Sequence, residues 1–353
     1  MKLNSTTLHK VINQIKKEYR FCRICPLNCR INRHIDQTGN CGVGLNSKIF
    51  NAYILAGETK EIAPTYAIYF AGCNMQCLFC SVGEQNKHLD YSDKKKDYSD
   101  IDDGFINKVR KEIGEAKPKT IGFIGGEPTI HLYSILDLIQ RLKPDLPLVL
   151  FTNLYYKPHI NQILLDVFDY IIGDCHYGNG KCGRSISKAD DYFQTAVQNI
   201  SKIGYKLILR HLLLPGHLEC CFKPLANWLN INQPDMTLHL LTSYVPYTDQ
   251  HGLGRRLSPQ EIMQAIEFAQ SVGLKIETLN LLHSAPGERD VNSQTQEVLI
   301  DDDGATAFKY LDGTAVEIGH TLDSCHSEPE QKHGIASLPK VARNDKKKGG
   351  HSQ

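Results

Sequence analysis

From about residue 64 to 280, short continuous apolar runs alternate with longer amphipathic stretches. Continuous runs predict strands buried on both faces, and the amphipathic stretches between them predict helices. The strands expected are Tyr66–Ala71, Thr120–Ile124, Pro147–Thr152, Tyr170–Asp174, Lys206–Leu213 and Thr237–Thr242. Helices are expected over 105–115, 132–142, 158–167, 189–203 and 219–230. A last one opens at Ser258-Pro259, an N-cap followed by a first-turn proline, and runs to about Val272. Strands that alternate with helices give a parallel sheet. Six such units are too few to close an eight-stranded barrel, so the fold expected is α/β, a partial (β/α)6 TIM-like barrel.

The pattern changes at both ends. Leu8, Val11, Ile12 and Ile15 recur at helical spacing near the N-terminus. The polar segment His88–Asp103 reads as an exposed connection. Glu297–Ile300, Ala307–Leu311 and Ala315–Ile318 are separated by Asp-Asp-Asp-Gly304 and Asp312-Gly313, turn signals that predict a small β-meander. From Ser324 the chain is polar and reads as a disordered tail. The organisation expected is a helix and cysteine-rich module over 1–60, a core over 61–285, the meander over 286–323 and the tail over 324–353.

Composition narrows the class without choosing a chemistry. With 41% hydrophobic and 22% charged residues the chain has the makings of a full core. Forty basic residues against 39 acidic ones give no basic surface for nucleic acid or for a membrane. The first residues lack the apolar core of a signal peptide, and no stretch reaches the roughly 20 apolar residues of a membrane span. A cytoplasmic location is the expectation. Twelve cysteines are many for a reducing compartment, and seven of them fall in two tight groups, within 22–41 and 73–80. Such grouping points to metal or redox chemistry before disulfides.

The second group, Gly72-Cys73-Asn-Met-Gln-Cys77-Leu-Phe-Cys80, directly follows an expected strand. Three thiolates at this spacing can ligate three irons of a [4Fe–4S] cubane and leave the fourth iron open to a ligand. Half of a zinc site is the bland reading, but zinc prefers four ligands in two short pairs. At the end of the next strand comes Gly125-Gly126-Glu127-Pro128-Thr129. Its glycines let backbone approach a ligand closely, and Glu127 offers an acceptor for an ammonium.

Together the two motifs resemble the radical S-adenosylmethionine (radical SAM) superfamily, with its Cys-x3-Cys-x2-Cys loop and GGE turn. The order of the cues is similar to the pyruvate-formate-lyase-activating-enzyme-like branch, in particular its uncharacterised PflX-type members. The likeness covers roughly residues 20 to 280. It implies that Cys73, Cys77 and Cys80 hold the cluster, that Phe79 lies near the adenine, and that Gly125, Gly126 and Glu127 bind the methionine amine of SAM. It implies further contacts to SAM from Asn153 after Thr152, from the Asp174-Cys-His176 segment, and from Arg210 on the strand leading to Leu214-Pro215-Gly216. Three departures stand out. His176 stands where activating enzymes commonly have lysine, Phe151 where they often have aspartate, and the stretch Cys80 to Asn86 is longer than usual.

The first group, Cys22-x2-Cys25-Pro-Leu-Asn-Cys29 with Cys41 between glycines, resembles the N-terminal motif of the PflX-type proteins. Four thiols so spaced form either a closed zinc site or a second iron–sulfur cluster, and spacing alone does not choose. Other cysteines and histidines carry weaker signals. Cys175 and Cys182 follow a strand and could relay a hydrogen atom, though small buried residues are the commoner case. Cys220-Cys221 reads as core or surface and Cys325 as incidental. His211, His217 and His239 read as structural, with His239 and Tyr244 as pocket candidates.

The function expected is reductive cleavage of SAM to a 5′-deoxyadenosyl radical that abstracts hydrogen from a protein or peptide, as in glycyl-radical activation. The resemblance implies an electron donor such as flavodoxin or ferredoxin. No residue is assigned to the catalytic hydrogen transfer itself. The rival readings are a non-catalytic iron–sulfur electron carrier and a zinc-binding interaction module. A SAM-binding turn at Gly125–Glu127 has no use in the first, and the βα repeat has no task in the second.

Overall fold

The structure is a computed structural model that describes residues 5–86, 89, 98–279, 296–300 and 306–310, the last two segments and residues 5–6 as backbone only. The first helix, α1 (Ser5–Glu18), buries Leu8, Val11, Ile12 and Ile15, the stripe its periodicity announced. It packs on the helix that follows the second parallel strand. Strand β1 (Ile49–Leu55) then pairs antiparallel with β2 (Thr65–Phe70). From β2 onward the strands are parallel: β3 (Thr120–Gly125), β4 (Leu148–Thr152), β5 (Tyr170–Asp174), β6 (Leu207–Leu212), β7 (Leu238–Leu241) and β8 (Ile276–Leu279).

The helices between them are α2 (Gly83–Asn86), α3 (Asp103–Ala116), α4 (Leu132–Leu142), α5 (Asn161–Val167), α6 (Gly180–Ser187), α7 (Tyr192–Ile203), α8 (Lys223–Asn232) and α9 (Pro259–Ser271). Local chemistry sets several of their ends. Asp102 caps α3 by accepting from Phe105 N at 2.8 Å, and Ser258 and Glu261 form a reciprocal capping box on α9. The sheet runs in order from β1 to β8, and among the described residues β8 does not return to pair with β1. This is a partial, open TIM-like barrel. It holds the six βα units read from the sequence, extended by β8 and edged by β1, neither of which the apolar pattern announced. The edge strand β1 comes from the segment assigned above to the N-terminal module.

Alternation along the strands divides the core into two layers. Phe70, Ile121, Phe123, Leu150, Ile171 and Leu209 face the helices and belong to the main cluster. Ile62, Val149, Phe151 and Ile172 form a separate cluster on the inner face of the sheet. Strands β2 and β4 are buried along their whole length, as continuous apolar runs require.

Strands β9 (Gln296–Ile300) and β10 (Thr306–Tyr310) form an antiparallel hairpin, the first two strands of the expected meander. Its third strand, most of the 88–103 connection, Cys325 and the tail lie outside the described residues.

Candidate functional site

The three-cysteine loop leaves β2 through Gly72, whose φ of +112° favours glycine; a Cβ there would lie 2.5 Å from Val43 and 2.8 Å from the Cys41 carbonyl. Cys73 is buried, and Cys77 and Cys80 are half-buried. Donors approach the sulfurs. Met75 N lies 3.4 Å from Cys73 Sγ, Asn153 Nδ2 3.8 Å from the same atom, and Asn86 Nδ2 3.6 Å from Cys80 Sγ. Burial, then the neighbouring Cys77 and the Glu127 carboxylate, push the Cys73 thiol well above its usual range. A cationic metal centre reverses that penalty, and N–H groups pointing at sulfur stabilise thiolates, so the residues present fit a cluster with cysteine ligands.

The loop is held from two sides. Asn74 Nδ2 donates to the Tyr155 carbonyl at 2.6 Å, and Asn153 Nδ2 donates to Asn74 Oδ1 at 3.0 Å. On the other side, Gln76 N and Leu78 N donate to the carbonyls of Ser187 and Ile186 at the end of α6, at 2.9 and 3.0 Å.

Glu127 is fully buried beside this loop. Its Oε1 accepts from Thr129 N (3.1 Å), Thr129 Oγ1 (2.6 Å) and Thr152 Oγ1 (2.8 Å), while Oε2 accepts from Asn153 N at 2.7 Å. Burial raises its pKa and these hydrogen bonds hold it back. A carboxylate oxygen has two lone-pair sites, so Oε2 retains capacity for one more donor. The glycines before it serve the protein backbone itself. A Cβ on Gly126 would lie 1.8 Å from the Gly72 carbonyl oxygen, and the amides of Gly126 and Glu127 donate to the carbonyls of Phe70 and Gly72. The turn thus presses against the cysteine loop, and those two amides are committed within the protein.

Asp174 and Arg210 face each other at the ends of β5 and β6. Arg210 donates from Nε and Nη2 to Asp174 at 2.7 and 2.9 Å, and from Nη1 to Glu58 at 2.8 Å. The guanidinium is buried over the Phe151 ring and committed to two carboxylates. It positions Asp174 and the 55–65 connection. Beside them the His176 ring lies 5.5 Å from Phe79 and 6.2 Å from Tyr192. Burial lowers the pKa of His176, and its buried Nδ1 has no hydrogen-bond partner. A buried nitrogen left so is costly unless a ligand meets it.

Of the four N-terminal thiols, Cys22 and Cys41 lie against Arg33. This side chain is buried, donates to the Ile130 carbonyl at 2.7 Å, lies 3.5 Å from Cys41 Sγ and stacks 4.5 Å above the Tyr19 ring. Among the described residues no carboxylate pairs with it; the acidic groups beside it are the Tyr19 phenol and the Cys41 and Cys22 thiols. Burial and the other thiols push Cys25 up to about 12. A buried cation among buried thiols is the setting of a metal–thiolate centre, which carries net negative charge. Cys41 adjoins Gly72, so this module touches the cysteine loop directly.

Several contributors left no signal in the sequence. His131 bonds Ser47 Oγ at 2.8 Å and the Gly72 carbonyl at 3.3 Å, and burial lowers its pKa to about 3. Asn86 reaches back to both Cys80 Sγ and Gly72 N. Cys182, His217, Cys220 and Cys221, treated separately above, converge with all ligating atoms within 4.8 Å. Cys175 is a buried core thiol against Tyr177, Tyr244 donates to the Leu253 carbonyl, and His239 sits 3.6 Å from Glu277. A cleft of about 400 Å³ lined by Leu8, Lys143, Leu148, Phe168 and Lys206 opens at the opposite end of the sheet and contains none of the site residues.

A family model described as the radical SAM superfamily matches residues 67–229, a span that includes both motifs. An uncharacterized protein of Methanocaldococcus jannaschii is 30% identical over 275 residues, covering 74% of this chain and 78% of its own. A radical SAM methyltransferase from Sphaerobacter thermophilus is 11% identical, over 79% of this chain and 94% of its own, with a TM-score of 0.46. A domain of pyruvate-formate lyase-activating enzyme from Bacteroides vulgatus is 18% identical, over 45% of this chain and 98% of its own, with a TM-score of 0.37. No described helix is long and apolar enough to cross a membrane. Kinship over most of both chains with the archaeal protein, together with a family match spanning the two motifs, makes this chain a member of the radical SAM superfamily.

Proposed function

We propose that the chain delivers a 5′-deoxyadenosyl radical to a protein or peptide target and abstracts a hydrogen atom from it, in the manner of the glycyl-radical activases. Cys73, Cys77 and Cys80 would hold the [4Fe–4S] cluster, which when bound supplies the electron that cleaves SAM. The observation that carries this reading is the continuous chain of hydrogen bonds from Glu127 through Asn153 and Asn74 to the cysteine loop. It fixes a buried carboxylate acceptor beside the thiols at the carboxyl ends of the strands, where such sheets bind ligands.

Within that frame the chain's own residues divide the work. Glu127 Oε2 accepts an ammonium of the cofactor. His176 Nδ1 and the Phe79 ring face its nucleoside end, where an unpartnered nitrogen and an aromatic edge suit a purine. The Glu58–Arg210–Asp174 group has two carboxylates against one guanidinium, so its net negative charge favours a cation nearby. The aromatic wall of Phe79, Tyr177 and Tyr192 keeps water from the reacting centre.

The N-terminal thiols would hold a second iron–sulfur cluster. Among the described residues, no three of Cys22, Cys25, Cys29 and Cys41 lie within 4.8 Å of one another. A single zinc would draw its thiolates to about 3.8 Å, given Zn–S bonds of about 2.3 Å. The close approach of Cys41 to Gly72 supports reading this centre as a relay from a flavodoxin- or ferredoxin-type donor to the first.

Anaerobic reconstitution with iron and sulfide, followed by dithionite and SAM, tests the reading through 5′-deoxyadenosine and iron per chain. Product formation that rises on adding a peptide substrate is the expected result. A cluster that never yields deoxyadenosine, with dithionite or with flavodoxin, overturns it and favours an electron carrier.

A further inference from the structure

The geometry points to a structural zinc ion bound by Cys182, His217, Cys220 and Cys221, a site separate from both cysteine groups visible in the sequence. Its four ligating atoms already stand near the corners of a tetrahedron. Cys182 Sγ lies 3.7 Å from Cys220 Sγ and 3.7 Å from His217 Nδ1. Cys220 Sγ lies 3.7 Å from Cys221 Sγ and 3.4 Å from His217 Nδ1, and Cys221 Sγ lies 3.9 Å from that nitrogen. Zinc bonds of about 2.3 Å to sulfur and 2.0 Å to nitrogen give tetrahedral edges of roughly 3.8 and 3.6 Å. Among the described residues this is the group of three or more such ligands that meets so closely. The spacing is too tight for a cubane and right for one ion.

The surrounding shell fits the same ion. His217 Nε2 lies 3.1 Å from the His251 carbonyl, which can only accept, so Nε2 carries the proton. Nδ1 is then the lone-pair nitrogen, and it faces the three sulfurs; ligating histidines are commonly oriented this way by a carbonyl. Asn179 Nδ2 lies 3.7 Å from Cys221 Sγ, and the Asn179 side chain also caps α6 by accepting from Cys182 N at 2.8 Å. Neighbouring helix residues usually point apart. Here Leu218–Phe222 forms a π-turn, which rotates successive side chains by less and lets Cys220 and Cys221 reach one point. Four protein ligands leave no open position, the mark of a structural site. Cys220 is half of a disulfide in the structure, so the site is that of the chain with this bond reduced.

The position gives the ion its task. Cys182 lies in the first turn of α6, whose last carbonyls hold Gln76 and Leu78 of the cluster loop. His217, Cys220 and Cys221 belong to the connection from β6 to α8. The ion therefore fastens α6 to the barrel and fixes the shelf from which the cluster loop hangs.

Elemental analysis of the full-length chain, purified anaerobically under a thiol-free reductant, tests this directly. Zinc is expected in equal amount with the chain, to be lost in Cys182→Ser and in Cys221→Ser, and to persist in Cys22→Ser. Zinc unchanged in both of the first two variants, or lost only with Cys22→Ser, overturns the proposal. Should those variants fail to fold, cobalt exchanged into the wild-type chain gives a second reading. Tetrahedral ligand-field bands with thiolate charge transfer from three sulfurs support the site, and an octahedral spectrum, or iron in place of zinc, refutes it.

Discussion

The N-terminal cysteines and the Cys182 group are both sets of four potential ligands, yet they are built in opposite ways. Cys22, Cys25, Cys29 and Cys41 come from one stretch with little regular structure, which also carries the buried Arg33. Cys182 and His217 are 35 residues apart and sit on elements that the barrel already places. A stretch without its own core must draw its ligands from close along the chain, because the metal has to order the segment that carries it. A site assembled on a finished fold has no such need. Short spacing in a sequence therefore reports metal sites that organise their own chain, and it passes over sites that a fold brings together.

The sharpest test of the contrast between wide and close sets is Cys77→Ala. It should abolish deoxyadenosine formation and lower iron to the content of the N-terminal centre alone while leaving zinc untouched; a variant that loses zinc instead would merge the two kinds of site. Next comes Cys25→Ala, expected to cost roughly 5 kcal/mol or more, because metal-binding energy there is folding energy. Limited proteolysis should then cut within the first sixty or so residues, and unchanged metal content with unchanged cleavage would remove the four-thiol site. A smaller effect is expected from Arg33→Met, which leaves an anionic centre without its buried cation. A loss of about 3 kcal/mol in denaturant melts and a more negative reduction potential should follow. A melt identical to wild type would mean the thiols there are neutral.

The smallest effect belongs to histidines that, unlike His217, have no thiols to serve. His211 gives its Nδ1 to the Cys175 carbonyl at 2.6 Å, and burial lowers its pKa to about 4. The unfolded chain takes up this proton near pH 6.5, the folded chain only near 4, so the stabilisation is complete above 6.5 and is lost as pH falls through that window. Between pH 7 and 5 the loss is about 2 kcal/mol for this residue. Urea titrations at the two values should show a correspondingly smaller drop for His211→Asn, and an equal drop in both proteins would assign the pH dependence elsewhere.

The same contrast explains what was legible in the sequence. Six strand–helix pairs were readable because parallel strands buried on both faces are written as unbroken apolar runs. Strand β1, Ile-Phe-Asn-Ala-Tyr-Ile-Leu, is half-buried along most of its length, and β8 has four residues with Glu277 and Thr278 exposed; both are edge strands. Helix α6 has two glycines in eight residues and starts on the Asn179 cap, so its apolar pattern is faint. At the site, the cysteine loop and the Gly-Gly-Glu turn were legible because their spacing lies along the chain. Asn74, Asn86, His131 and Glu58 were not, since each acts through an approach that only the folded barrel creates. The turn glycines also press on backbone, Gly125 on Phe70 and Gly126 on Gly72, approaches that the spacing along the chain does not show.

One carbonyl sets an order of events in synthesis. Tyr19 Oη and Arg33 Nη1 both end on the oxygen of Ile130, 111 and 97 residues further along. A ribosome releases all four N-terminal thiols long before that oxygen exists, and domains complete themselves as the chain emerges. Those thiols emerge early, but Arg33 beside them stays unanchored until β3 and the turn beyond it have been made. Emergence of the module and its locking are thus separated in time by the translation of nearly a hundred codons, the interval from Arg33 to Ile130.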